Sequence, residues 1–155
     1  MNRIALLIST FGYVGFFPIA PGTAGSLAAL VLFACVRTVG VPAFELAMIG
    51  AVFGAGVWAA SVTERVLDRK DPWPIVIDEV LGILITLAWL PLSMGGVLAG
   101  FLLFRVFDVV KPYPAARLEH LHGGMGVMLD DAVAGAYAHV SLRLILLVAP
   151  GWITA

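Results

Sequence analysis

Charge is what this sequence has least of. Acidic and basic residues make up 12% of its 155 residues, about half the share of an ordinary soluble domain. They nearly cancel, leaving a net charge of −1, so there is no electrostatic case for binding nucleic acid. The single cysteine, Cys35, excludes an intramolecular disulfide and sits in an apolar run where a thiol simply packs. There is no phosphate-loop lysine motif and no nucleophile elbow. His120 and His122 stand beside proline- and glycine-rich turns and do not read as a zinc pair, and His139 reads as helix packing. Residues 4–36 carry no charge, yet no short hydrophobic segment there ends in a small-residue cleavage site. Proline and glycine at 18, 21, 22 and 25 interrupt it, so no removable signal peptide is expected.

Apolar residues fill the rest. They make up 61% of the chain, and the mean hydropathy is +1.04. A soluble protein of this length needs more polar surface, so lipid is the expected solvent. A bilayer span takes roughly 20 apolar residues. Ser26–Val39 is apolar except for Arg37, Phe44–Thr63 except for Glu45, and Ala132–Val148 except for Arg143, with a stop at Pro150-Gly151. Val80–Phe104 is uncharged, but Pro91 and Gly95-Gly96 divide it in two. The expectation is an all-α, small polytopic membrane protein, one domain over 1–155, with about five short helices. Residues 4–17 suit an amphipathic helix at the interface.

Alternation of these segments places 18–26, 64–79 and 105–131 on one side, and 40–43, 91–96 and the C-terminus on the other. Arg3, Arg65, Arg69, Lys70, Arg105, Lys111 and Arg117 then share the first side, which the positive-inside tendency makes cytoplasmic. Four clusters rich in polar groups fall on that face. Pro21-Gly22-Thr23-Ala24-Gly25-Ser26 precedes an apolar run; Thr23 or Ser26 can cap a helix there, and the helix start favours an anion or is an ordinary capped turn. Asp78-Glu79 lies between apolar triplets, where two carboxylates need a metal or salt-bridge partners. Arg105, Asp108 and Lys111 recur at i, i+3 and i+6, as an ion-pair ladder or as a site for metal and phosphate together. Asp130-Asp131 follows His122-Gly123-Gly124-Met125-Gly126 and either binds or caps a helix. Oxygen-rich sets of this kind suit Mg²⁺.

The strings FFPIAPGTAGSLAAL, DPWPIVIDEVLG, FLLFRVFDVVKPYP and HGGMGVMLDDAVAG, in this order over residues 16–136, resemble the phosphatidylglycerophosphatase A family. The Lys/Arg and two-His arrangement of acid-phosphatase-like lipid phosphatases is absent, as is the Asp-Gly-x-x-Ala-Arg string of CDP-alcohol phosphotransferases. The resemblance implies a Mg²⁺-dependent hydrolase that converts phosphatidylglycerophosphate to phosphatidylglycerol in the bacterial cytoplasmic membrane. Its motifs fall on Asp78 and Glu79, on Arg105, Asp108 and Lys111, and on Asp130 and Asp131. On that basis Glu79, Asp108 and Asp131 are expected to bind metal first, with Asp78 and Asp130 completing or orienting the set. Arg105 and Lys111 would neutralise the phosphate, and the backbone of Gly22, Thr23, Gly25 and Ser26 would cradle it. The rival expectation is a small transporter or channel subunit, since intramembrane carboxylates also mark ion pathways. Carboxylates strung through the bilayer centre favour that rival, and carboxylates gathered at one face favour the enzyme.

Overall fold

A computed structural model describes residues 2–118, 120–149, 151 and 154. Among them the chain forms helices α1 (Arg3–Ser9), α2 (Pro21–Val39), α3 (Pro42–Leu67), α4 (Ile77–Leu87), α5 (Met94–Val110), α6 (Ala115–Leu118) and α7 (Gly124–Val148). A 3-10 turn at Val14–Phe16 follows α1. The all-helical architecture expected from the sequence is present, with α2, α3, α4, α5 and α7 as its five main helices. Three of them, α2, α3 and α7, are long and apolar enough to cross a membrane.

Prolines set two of the helix starts. Pro21 and Pro42 each occupy the first turn of their helix, where the missing N–H removes a donor that had no partner. Gly40 ends α2 in the left-handed region. Ser93 caps α5, its Oγ accepting from Gly96 N at 3.2 Å, so the expected break lies at 88–93 and Gly95-Gly96 belong to the helix. The amphipathic helix expected over 4–17 is shorter. It stops at Ser9, and Phe11, Gly12 and Tyr13 then take positive φ.

Helix α4 is the centre. Val80, Leu81, Ile83 and Leu87 are fully buried, and beyond its acidic first turn the helix is almost wholly apolar, as suits a helix enclosed by others. At 11 residues and about 1.5 Å per residue it is too short to cross a bilayer alone. It is sheathed by α2, α3, α5 and, most extensively, α7. Helices α4 and α7 cross closely at Gly82 and Gly135. A Cβ on Gly135 would lie 2.6 Å from the Gly82 carbonyl oxygen, and one on Gly82 would strike the Phe104 ring. Small residues let helix backbones approach this closely in membranes.

Two of the charges inside the spans answer each other. Arg37 Nη1 is 3.0 Å from Glu45 Oε1, and Arg37 Nη2 donates to the Leu90 carbonyl at 3.2 Å. The other Glu45 oxygen accepts from Trp89 N at 2.9 Å. The α2–α3 and α4–α5 turns are thereby joined at one end of the bundle. The opposite end gathers the starts of α2, α4 and α7 with the end of α5. The C-terminal stop expected at Pro150 lies outside the described residues; α7 ends at Val148.

Candidate active site

The gathered helix ends enclose a cavity of 340 Å³. Each wall comes from a different element. Gly22 and Thr23 belong to the first turn of α2, Asp78 and Glu79 to that of α4, Arg105 and Asp108 to the last two turns of α5. Asp130 and Asp131 lie in the second turn of α7. Four stretches 20 or more residues apart in sequence thus meet at one place.

Asp78, Glu79 and Asp131 come closest together, each offering a carboxylate oxygen within 4.8 Å of the others. One buried oxygen of each, Asp78 Oδ1, Glu79 Oε2 and Asp131 Oδ2, accepts no hydrogen bond. Buried acceptors in this condition are rare and costly, and three of them converging form a ready set of hard oxygen ligands for a divalent cation. Burial pushes the Glu79 carboxyl up to about 8, against a hydrogen bond with Asp78 and the Arg105 charge; Asp131 and Asp108 add to the rise. Burial, followed by the neighbouring Glu79, also holds Asp78 well above the usual carboxylate range. A bound cation reverses that preference, because it favours the charged forms.

The remaining charged residues are paired around this trio. Arg105 Nη1 lies 2.7 Å from Asp108 Oδ2, as the i, i+3 spacing predicts. Lys111 departs from the expected single face. It terminates α5 with φ 45°, leaves the helix line, and its Nζ donates to Asp130 Oδ2 at 2.7 Å. Asp130 in turn accepts from Asp131 N at 3.0 Å. Neither aspartate caps α7. That helix begins at Gly124, with Gly123 as its N-cap, eight residues ahead of the Ala132 start expected from hydropathy.

The α2 cluster divides. Gly22 lies against the acidic trio, since a Cβ there would meet Glu79 Oε1 and come within 3.4 Å of Arg105 Nη1. Thr23 lines the cavity with it. Gly25 instead packs on Val76, where an added Cβ would lie 2.7 Å from the Val76 Cβ. Ser26 is buried and its Oγ donates back to the Gly22 carbonyl at 2.9 Å. Neither lines the cavity, and neither Thr23 nor Ser26 caps the helix, because α2 starts at Pro21 with Ala20 as its N-cap. Asp71 and Trp73 do line it, and sequence reasoning assigned them no role. The signal was present: an exposed tryptophan framed by Pro72 and Pro74, directly ahead of the acidic pair.

Among the described residues every acidic side chain lies within two turns of a helix end or in a loop, and none forms a line through the middle of the bundle. That distribution is the one expected of an enzyme at the interface rather than of an ion pathway.

Three relatives share most of the chain. A Haemophilus influenzae phosphatidylglycerophosphatase A is 40% identical over 141 residues, 89% of this chain and 85% of its own length. The Escherichia coli phosphatidylglycerophosphatase A is 39% identical over 137 residues, 86% of this chain and 78% of its own. A Bacteroides thetaiotaomicron protein provisionally named phosphatidylinositol-3-phosphatase is 36% identical over 149 residues, 91% of this chain and 92% of its own. No solved structure matches. The phosphatidylglycerophosphatase A profile matches residues 7–146, which takes in every helix end that lines the cavity. The chain therefore belongs to the phosphatidylglycerophosphatase A family of phosphatases.

Proposed function

We propose that the protein is a Mg²⁺-dependent phosphomonoesterase that releases the terminal phosphate of phosphatidylglycerophosphate, giving phosphatidylglycerol, at the cytoplasmic face of a bacterial inner membrane. The observation that carries this reading is the trio of buried, donor-free carboxylate oxygens beside an arginine and a bare helix start. Asp78, Glu79 and Asp131 would hold the ion, with Asp108 and Asp130 held next to them by their basic partners. When bound, Mg²⁺ polarises the phosphoryl group and lowers the pKa of a coordinated water.

The chain's own residues do the rest. Arg105 has five N–H donors in a fixed fork; Asp108 holds one edge and orients the guanidinium toward the cavity, where a two-pronged contact neutralises phosphate oxygens. Lys111 is kept at the rim by Asp130 and adds a second positive charge. The N–H groups of Gly22 and Thr23, in the first turn of α2, have no helical acceptor and point toward an incoming anion. Glycine at 22 leaves the Glu79 carboxylate in place, since a side chain there would push it aside.

Phosphate release by purified protein in mixed micelles tests the reading. Phosphatidylglycerophosphate should be cleaved with Mg²⁺ and not with excess chelator, while phosphatidic acid, which lacks the distal glycerol phosphate, should be a poor substrate. The name of the Bacteroides relative makes phosphatidylinositol 3-phosphate the necessary third arm. Preference for that lipid, or full activity in chelator, would overturn the proposal.

A further inference from the structure

The cavity accounts for a phosphate but not for the rest of a lipid. Beside it lies a second hollow of 430 Å³, lined by Leu6, Phe16, Leu67, Pro72, Trp73 and Pro74 with Arg69 the single charged residue. Trp73 lines both the polar cavity and this groove, so the two are neighbours on either side of one indole. Four segments build the groove, the end of α3 supplying Leu67. α1 supplies Leu6, the 3-10 turn supplies Phe16, and the Pro72–Pro74 loop closes it. These last three are locked together. A Cβ on Gly15 would strike the Pro74 carbonyl, the Phe16 and Trp73 rings meet edge to face at 5.8 Å, and Val76 N donates to the Ser9 carbonyl at 2.9 Å.

Large apolar side chains stay exposed around it. Phe16, Phe17 and Trp73 are 44%, 54% and 54% exposed and Ile19 is 75% exposed, a concentration that marks contact with an apolar partner. Polar and apolar compartments side by side at one aromatic residue fit an amphiphile whose anionic head occupies the one and whose hydrocarbon lies along the other. We infer that the groove over Trp73, between Phe16 and Leu67, holds the diacylglycerol part of the substrate, guiding the phosphate of a membrane lipid into the acidic cavity. This inference rests on the lipid-phosphatase reading above. It adds that hydrocarbon contact at this groove, and not headgroup contact alone, sets catalytic efficiency.

The test compares diacyl phosphatidylglycerophosphates of increasing chain length with the fully deacylated headgroup, using the intact protein in micelles. For the parent, kcat/KM should rise from the deacylated compound through short-chain to long-chain lipid. Phe16→Ala and Leu67→Ala, made separately, lie outside the polar cavity. Each should lower kcat/KM for the long-chain lipid about tenfold, the loss expected when roughly 55 Å² of apolar contact is removed at about 25 cal/mol per Å². Activity on the deacylated compound should change less than twofold, which also shows that the variants fold. A parent indifferent to chain length would overturn the inference, as would equal losses on both substrates in both variants. Equal losses accompanied by a change of oligomeric state in light scattering would mean that a second copy of the chain occupies the groove, and would likewise overturn it. A parent inactive on every compound would instead remove the lipid-phosphatase reading.

Discussion

Two adjacent aspartates on α7 have opposite surroundings. Asp131 offers a buried oxygen that accepts no hydrogen bond and faces Asp78 and Glu79, whereas Asp130 is satisfied by Lys111 at 2.7 Å. Asp131→Asn should therefore lower kcat by orders of magnitude and raise the Mg²⁺ needed for half-maximal rate. The same change removes a like charge from a buried cluster, so in chelator the variant should melt a few degrees higher than the parent. An active Asp131→Asn enzyme, or one that melts lower, would count against the metal trio. Asp130→Asn and Lys111→Ala should each reduce kcat/KM by about ten- to a hundredfold, the size of one charge-assisted contact. Together they should cost little more than either alone, because both break one ion pair.

Glu79 supplies a pH signature. A carboxyl raised on folding contributes stability below its ordinary pKa that is lost as pH climbs through the folded value. That window runs from 4.5 to about 8. In chelator the melting temperature should fall across it and level off above. Added Mg²⁺ should oppose the fall, binding more tightly at higher pH because deprotonated ligands are required. A melting temperature that rises from the acid to the alkaline end of that window in chelator would contradict the buried trio. The acidic residues themselves were legible in the sequence, since carboxylates set in apolar runs demand partners. Which three converge was not, because Asp78 and Asp131 are 53 residues apart and their approach depends on how α4 meets α7.

At the scale of elements, hydropathy located the five main helices and misplaced two of their starts. Gly22, Gly25, Gly124 and Gly126 read as turn residues, yet all four are helical. The reason is packing. A Cβ on Gly124 would collide with the Val57 carbonyl, so glycine there marks a tight helix contact and not the absence of a helix. Gly135 is a second such contact, its Cβ position 2.6 Å from the Gly82 carbonyl oxygen, and lies one turn beyond Asp131. Gly135→Ala should destabilise the protein by about 1–3 kcal/mol, as overpacking does, and should lower activity by displacing the Asp131 backbone. Gly50→Ala is the control, since nothing lies within 4 Å of a Cβ there, and should melt at or slightly above the parent temperature. Equal melting of the two variants would mean that the Gly82–Gly135 crossing is looser than it stands in this structure. The Arg37–Glu45 pair was invisible to sequence for a related reason. Each residue looks like a lone charge in its own span until the α2–α3 turn folds the two helices together, and the backbone partners at Trp89 and Leu90 come from a distant part of the chain.

For the whole molecule the question is which end faces which compartment. The site end carries Arg65, Arg69, Lys70, Arg105 and Lys111, and the far end carries Arg37, a distribution for which the positive-inside tendency predicts a cytoplasmic site. Alternation of five spans assumed that α4 and α5 each cross. Both are short, yet the parity survives, because α4 leaves the site end and α5 returns to it. The turn between them also reaches the far end. Trp89 Nε1 donates to the Pro42 carbonyl at 3.2 Å, and Leu92 bridges to Thr154 near the C-terminus. Single cysteines introduced into a Cys35→Ala background make this testable with a membrane-impermeant maleimide on intact cells. Val41→Cys and Met94→Cys, exposed by 48% and 83% in the parent residues, should label from outside. Lys70→Cys should label only after the membrane is opened. Labelling of Lys70→Cys from outside would invert the protein and place its substrate in the outer leaflet. A Met94→Cys that stays unlabelled while Val41→Cys reacts would show instead that the α4–α5 turn remains within the bilayer, leaving the site orientation intact.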